Sequence, residues 1–221
     1  MSKEKLFTNT PMGRAIIDAM LEVNAAISEQ VADAEPGTYR AYIFGGAALH
    51  IHTNARGSSD IDVEIQAAQA LELDDITIIY TDDDGLEKAL IVDDTFSPTI
   101  SGLLPEYYQD DAIPLFGSDS DPLVAYVVTA LDLAVSKLDR LAVDDQADII
   151  SLHQAGKFTA EELRKHAEEA LIGAVGNERR LKGNIEFMVN QLQELGGGWI
   201  QLDVVGNVPF FPPANRSEGL Q

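Results

Sequence analysis

Phe44-Gly45-Gly46-Ala47-Ala48-Leu49-His50-Ile51-His52-Thr53-Asn54-Ala55-Arg56-Gly57-Ser58-Ser59-Asp60-Ile61-Asp62-Val63-Glu64-Ile65 is the stretch that decides the reading of this chain. An apolar segment ends in two glycines, and after thirteen intervening residues an acid–aliphatic alternation begins. Strict alternation predicts a strand, with Asp60, Asp62 and Glu64 on one face and Ile61, Val63 and Ile65 on the other. Two residues of strand advance about 6.6 Å. Carboxylates at that spacing repel one another unless a cation lies between them, and a hard divalent ion is the simplest candidate. Upstream, a strand running into Gly45-Gly46 and then a helix exposes N–H groups at the positive helix end. That is an anion site, and glycine lets a phosphate approach the backbone closely.

The flanking sequence supplies a frame for this pair of features. Thr10-Pro11 reads as an N-cap with proline at the first helical position, opening a helix from Met12 to about Ala34. Glu35-Pro36-Gly37 ends it. Residues 39–44 read as a strand, 46–53 as a helix, and 54–59 as a loop. Ile76–Tyr80 and Leu86–Val92 form a predicted hairpin around the acidic turn Asp82-Asp83-Asp84-Gly85. Residues 95–121, rich in Pro, Gly and Asp, take no assignment. Leu123–Val128 reads as a last strand. A helix from Thr129 to about Leu141 begins with a capping-box pattern. Helices follow over 144–154 and from a second capping box, Thr159 to Glu162, to Leu195, with a break near Gly173–Gly176. The expected fold class is α/β in the α+β sense: a mixed sheet with flanking helices over 1–125, a helical portion over 126–198, and an extended or disordered tail over 199–221.

Composition narrows the function classes. A chain of 221 residues with 45% hydrophobic content has enough apolar material for a core. It has no cysteine, so disulfides and thiolate metal sites are excluded. Met1–Thr10 carries no signal-like apolar run, and no stretch is long and apolar enough to span a bilayer. A cytoplasmic protein with no membrane partner is the expectation. The formal charge of −22, from 37 Asp+Glu against 15 Lys+Arg, repels nucleic-acid backbones at long range. Solubility accounts for such a surface, and so does a preference for basic protein partners.

Two blocks carry a family resemblance. Gly45-Gly46, Arg56-x-Ser58-x-Asp60-x-Asp62 resembles the signature of the polymerase-beta-like nucleotidyltransferase superfamily, and within it the minimal bacterial AbiEii-like branch of toxin–antitoxin and phage-defence loci. The second block, Leu131-Asp132-Leu133-Ala134-Val135-Ser136-Lys137-Leu138-Asp139-Arg140 followed by Asp145-Gln146-Ala147-Asp148-Ile149, is similar to the family's lysine helix and its Asp-x-x-Asp. The likeness covers roughly residues 38–155. It implies a nucleotidyltransferase-like mixed sheet and a reaction that moves a nucleoside monophosphate from a nucleoside triphosphate, with Mg²⁺ or Mn²⁺, to a hydroxyl. It implies metal binding by Asp60 and Asp62, and a third carboxylate on a separate strand acting as base and ligand. Asp93 is favoured for that place over Asp94, and Glu64 is an alternative on the first strand. Nucleotide contacts are expected from Gly45, Gly46, Arg56, Ser59, Lys137 and Arg140. Arg56 has a second reading, as an ion-pair anchor for the acidic strand. Lys137 and Arg140, three apart on one helix face, either meet the triphosphate or pair with Asp144 or Asp148.

Other candidates read as structural. His50 and His52 fall on different helix faces, His153 and His166 are solitary, and Asp82–Asp84 lacks the distal glutamate of a calcium loop. Three functions compete. The first is an enzyme modifying a protein side chain or an RNA 3′ end, protein being favoured by the acidic surface. The second is a catalytically weak antitoxin or binding subunit that neutralises a partner protein. The third is a transferase acting on aminoglycoside-like amino sugars. An oligomer is compatible with all three.

Overall fold

The computed structural model describes residues 5–67, 71, 73, 76–97, 103–174 and 176–197. The tail expected over 199–221 lies outside them. The described elements are α1 (Pro11–Gln30), β1 (Tyr39–Ile43), α2 (Gly45–Thr53), β2 (Asp60–Gln66), β3 (Thr77–Thr81) and β4 (Glu87–Asp93). Next come α3 (Tyr108–Asp111), β5 (Ile113–Phe116), β6 (Leu123–Val127), α4 (Ala130–Lys137), α5 (Val143–Gln154), α6 (Ala160–Ala170) and α7 (Glu178–Gly197). This is the expected mixed α/β architecture with helices following the sheet.

Six strands form one mixed sheet in the order β3-β4-β2-β1-β6-β5. β2 runs antiparallel to β1 and parallel to β4, and β1 runs parallel to β6. The predicted hairpin is present as the antiparallel pair β3–β4. Alternation along β2 works as expected: Ile61 and Val63 are fully buried with Leu90 of β4, while Asp60 is exposed and Asp62 half-buried. α1 and α2 cover the apolar face. The acidic face of β2 is thereby turned away from the core.

Three elements differ from their sequence-based expectations. α1 stops at Gln30, not near Ala34: Val31 caps it through its N–H to the Ile27 carbonyl but leaves helical backbone at φ −128°. The helix after β6 ends at Lys137, not near Leu141, and Leu141 adopts a left-handed φ of 46°. The unassigned stretch contains β5, whose Pro114 cannot donate to a ladder but is tolerated because β5 is an edge strand. The caps at Thr10 and Thr159 are as read, while Thr129 accepts the Asp132 N–H and donates its hydroxyl to Asp132 Oδ2 in place of the expected reciprocal box. Thr10 accepts from Gly13 N–H, and Thr159 and Glu162 form a reciprocal capping box. The break between α6 and α7 spans the expected Gly173–Gly176.

Candidate functional site

β1 delivers the chain to Phe44, whose N–H donates to the Asp62 carbonyl at 2.8 Å. α2 then begins at Gly45 with no side-chain cap. Its first N–H groups have no partner within the helix. Gly45 has φ +59°, and a Cβ there would sit 1.7 Å from Asp62 Oδ2. Only glycine satisfies both the backbone and this contact. A Cβ on Gly46 would meet Ser58 Oγ at 2.5 Å and Arg56 Nη1 at 3.2 Å. The expected glycine turn therefore abuts both the acidic strand and the loop that feeds it.

The parallel register of β2 and β4 sets Asp60 opposite Ile91 and Asp62 opposite Asp93. Residues in register share a face, so Asp60, Asp62 and Asp93 lie on one side of two adjacent strands. Asp93 thus has the position expected of a third carboxylate. Asp94 is one residue further on, in the exposed turn. Glu64 is drawn elsewhere: Tyr108 Oη donates to Glu64 Oε2, and Gln109 Nε2 donates to Tyr108 Oη at 2.7 Å. Burial first, and then the Glu64 hydrogen bond, raise the Tyr108 pKa, which keeps that hydroxyl a donor. Tyr108 itself packs between Tyr42 and Phe44.

The charges of Asp60 and Asp93 bear on Asp62. Burial pushes the Asp62 carboxyl above the ordinary range, the charges of Asp60 and Asp93 push it further, and Lys137 and Arg140 draw it partway back. Their donor chemistry suits a hard divalent cation, which takes carboxylate oxygens. They are not drawn into a ready ligand set: among the described residues, no three His, Asp or Glu side chains are gathered closely enough to hold a metal. Asp60 Oδ1 accepts the Ser58 hydroxyl at 2.8 Å. Asp93 Oδ1 accepts the Thr95 N–H at 3.0 Å and its hydroxyl at 2.6 Å.

The basic residues converge from three segments. Asp148 of α5 takes Arg56 in a fork, Nε on Oδ1 and Nη2 on Oδ2, each at 2.8 Å. Lys137 Nζ is 2.8 Å from Asp148 Oδ2 and 3.6 Å from Asp145 Oδ1. Arg140 makes its own fork on Asp145 at 2.7 and 2.8 Å. For both aspartates burial works to raise the pKa, but the hydrogen bonds and cations outweigh it and hold the carboxyls below the ordinary range. Of the two readings of Lys137 and Arg140, ion pairing is observed, Lys137 with the expected Asp148 but Arg140 with Asp145 in place of Asp144 or Asp148, while both also bear on Asp62. They do not share a helix face, because α4 ends at Lys137; they meet at Asp145 instead.

The remaining candidates make local contacts. Ser59 accepts the Ile91 N–H through its backbone carbonyl, tying the loop to β4. A cavity of about 730 Å³ borders Arg56, Ser58, Ser59, Asp60, Tyr80 and Lys88, but Gly45, Asp62, Asp93 and Lys137 do not line it. It shares Asp60 with the carboxylate face and leaves out Asp62 and Asp93. His50 joins Thr10 Oγ1 to the Arg56 carbonyl, His52 meets the Val128 carbonyl, and His153 meets that of Phe158. Asp82 Oδ1 accepts two backbone N–H groups of its own turn. Sequence reasoning did not identify Ser58, Thr95 or Tyr108 as partners of the acids. Ser-x-Asp and Asp-x-Thr spacings signal the first two; nothing local signals Tyr108.

A family model described as a nucleotidyltransferase of unknown function (DUF6036) matches residues 18–192, a span that holds every candidate residue above. No curated protein matches the chain. Among the described residues no helix is long and apolar enough to cross a membrane.

Proposed function

The chain belongs to the DUF6036 family of nucleotidyltransferases of unknown function, and on that premise we propose that it transfers a nucleoside monophosphate from a nucleoside triphosphate to an acceptor hydroxyl. The observation that carries the proposal is the contact of Asp62 with the Gly45 start of α2, beside Asp93 in register. It sets an anion-binding helix end against a carboxylate face. Asp60, Asp62 and Asp93 would hold Mg²⁺, which supplies Lewis-acid stabilisation of phosphate oxygens.

The N–H groups at Gly45 and Gly46 receive phosphate oxygens, and Lys137, with Arg56, adds positive charge beside them. Asp93 takes the proton of the acceptor hydroxyl. The Thr95 N–H and hydroxyl hold its Oδ1 in place at the end of β4. The acceptor oxygen bonds to the α-phosphorus, the bond from that phosphorus to the bridging oxygen breaks, and pyrophosphate leaves. The acidic surface, at −22 formal charge, favours a protein acceptor over RNA. The resemblance of the Gly-Gly and Asp-x-Asp block favours a toxin–antitoxin or phage-defence setting.

One observation favours a second reading, a binding subunit with little catalysis: the acids are not drawn together and the cations are already paired. Label separates the two. The full chain is incubated with α-³²P nucleoside triphosphates, Mg²⁺ and cell extract. Transfer predicts label in macromolecules that is absent with γ-label and with Asp62→Ala. Label from none of the four nucleotides removes the enzyme reading.

A further inference from the structure

We propose that Asp148, assisted by Asp145, is the positioning residue of the phosphate site: it orients Arg56 and Lys137 toward the Gly46 end of α2 without touching the nucleotide itself. The inference rests on the nucleotidyl-transfer reading above.

Fifteen Lys+Arg stand against 37 Asp+Glu in this chain, yet three of them meet on two aspartates. Asp145 and Asp148 are both 2% exposed. Burying a carboxylate is costly and is offset only by close pairing and hydrogen bonds. One cation per carboxylate would achieve neutrality. Three cations are instead gathered on these two carboxylates, and Asp60, Asp62 and Asp144 bear on the arginines as well.

The gathered cations lie beside the carboxylate face. Arg56 Nη1 lies against Gly46, where an added Cβ would be 3.2 Å away, and it donates to the Gly57 carbonyl at 3.1 Å. Guanidinium has five N–H donors. Asp148 takes Nε and one on Nη2, Gly57 takes one on Nη1, and one hydrogen on each terminal nitrogen is left over. Lys137 has three donors, with one close contact to Asp148 and a longer one to Asp145. The fork fixes the plane of the guanidinium, which a single-point contact would not do. Asp148 reaches across 92 residues of sequence to do so, joining α5 to the loop before β2.

The test compares the full chain with Asp148→Asn and Asp148→Glu. Mg²⁺ complexes of the four nucleoside triphosphates, and the corresponding nucleosides, are titrated calorimetrically well below each variant's melting temperature. The wild type is expected to bind at least one triphosphate. Asp148→Asn, similar in shape but lacking the charge, should weaken that binding at least tenfold and leave nucleoside binding unchanged. Asp148→Glu should recover part of it. A purely structural role lowers the melting temperature but leaves triphosphate affinity at the wild-type value; that result overturns the positioning role and leaves nucleotidyl transfer standing. A wild type that binds no triphosphate overturns the transfer reading itself, and the positioning role with it. Should Asp148→Asn not fold, Arg56→Lys keeps the charge and loses the fork, and the same two outcomes decide.

Discussion

Gly45→Ala is the perturbation that bears most on the geometry of the site. Two costs add. The residue has φ +59°, and holding a non-glycine residue in left-handed backbone costs about 1–2 kcal/mol. The new Cβ would also fall 1.7 Å from Asp62 Oδ2, so strand or carboxylate must shift, with overpacking costs of about 1–3 kcal/mol. The sum is roughly 2–5 kcal/mol, or a fall in Tm of roughly 4–20 °C for a chain of this size. Gly85→Ala is the internal control. Its φ is +78°, but an added Cβ there meets nothing within 4 Å, so only the backbone cost of about 1–2 kcal/mol applies. Both substitutions restrict the unfolded chain alike, so that contribution cancels in the comparison. Thermal denaturation of the two variants, with triphosphate titration of each, reads the difference. Gly45→Ala is expected to be the less stable and to lose triphosphate binding, while Gly85→Ala retains it. Equal stabilities with full binding in both would refute the contact with Asp62 as the organising feature of the site.

Three further outcomes are expected. Asp62 has its carboxyl pushed up by burial and by Asp60 and Asp93, so its ionised form destabilises the fold above the folded pKa and the penalty vanishes below the unfolded value. Asp62→Asn should therefore raise Tm at neutral pH while abolishing label transfer; a lower Tm contradicts the burial and like-charge account. His166 of α6 is 2.7 Å from buried Asp132 of α4, and that hydrogen bond raises its pKa, with Glu169 and Asp111 adding to it. The stabilisation is complete below about pH 6.5, the unfolded value, and is lost as pH rises through the raised folded value. His166→Asn should flatten the fall in stability across that window, read by urea denaturation at stepped pH. Tyr108→Phe removes the donor to Glu64 and should cost about 1.5–3 kcal/mol, seen as an earlier urea midpoint at unchanged slope.

The legible parts of this fold were those set by local rules. The alternation over Asp60–Ile65 fixes which side of β2 faces the core, because the side-chain period is two, and Gly45-Gly46 marks a turn no other residue permits. β5 escaped because Ile-Pro-Leu-Phe carries a proline, and its edge position is a property of the sheet, not of the segment. The early end of α4 follows from Leu141 turning left-handed, for which a leucine gives no warning. The site divides in the same way. Asp60 and Asp62 come from one strand; Asp93 is favoured over Asp94 in the sequence, but its place opposite Asp62 is a property of the β2–β4 register. Glu64 shared the strand face with the aspartates, and only the fold brings it Tyr108, 44 residues away. The pairing of Arg56 with Asp148 spans 92 residues, beyond any pattern in the chain.

The most direct test of the proposed nucleotide site is residue-resolved paramagnetic broadening in the isotope-labelled protein, with Mn²⁺ added in the presence and absence of a nucleoside triphosphate. The site described here predicts nucleotide-dependent broadening centred on Gly45, Gly46, Asp60, Asp62, Asp93 and Lys137, strongly reduced in Asp62→Ala. Broadening confined to the acidic turn at Asp82–Asp84, or identical with and without nucleotide, would contradict it.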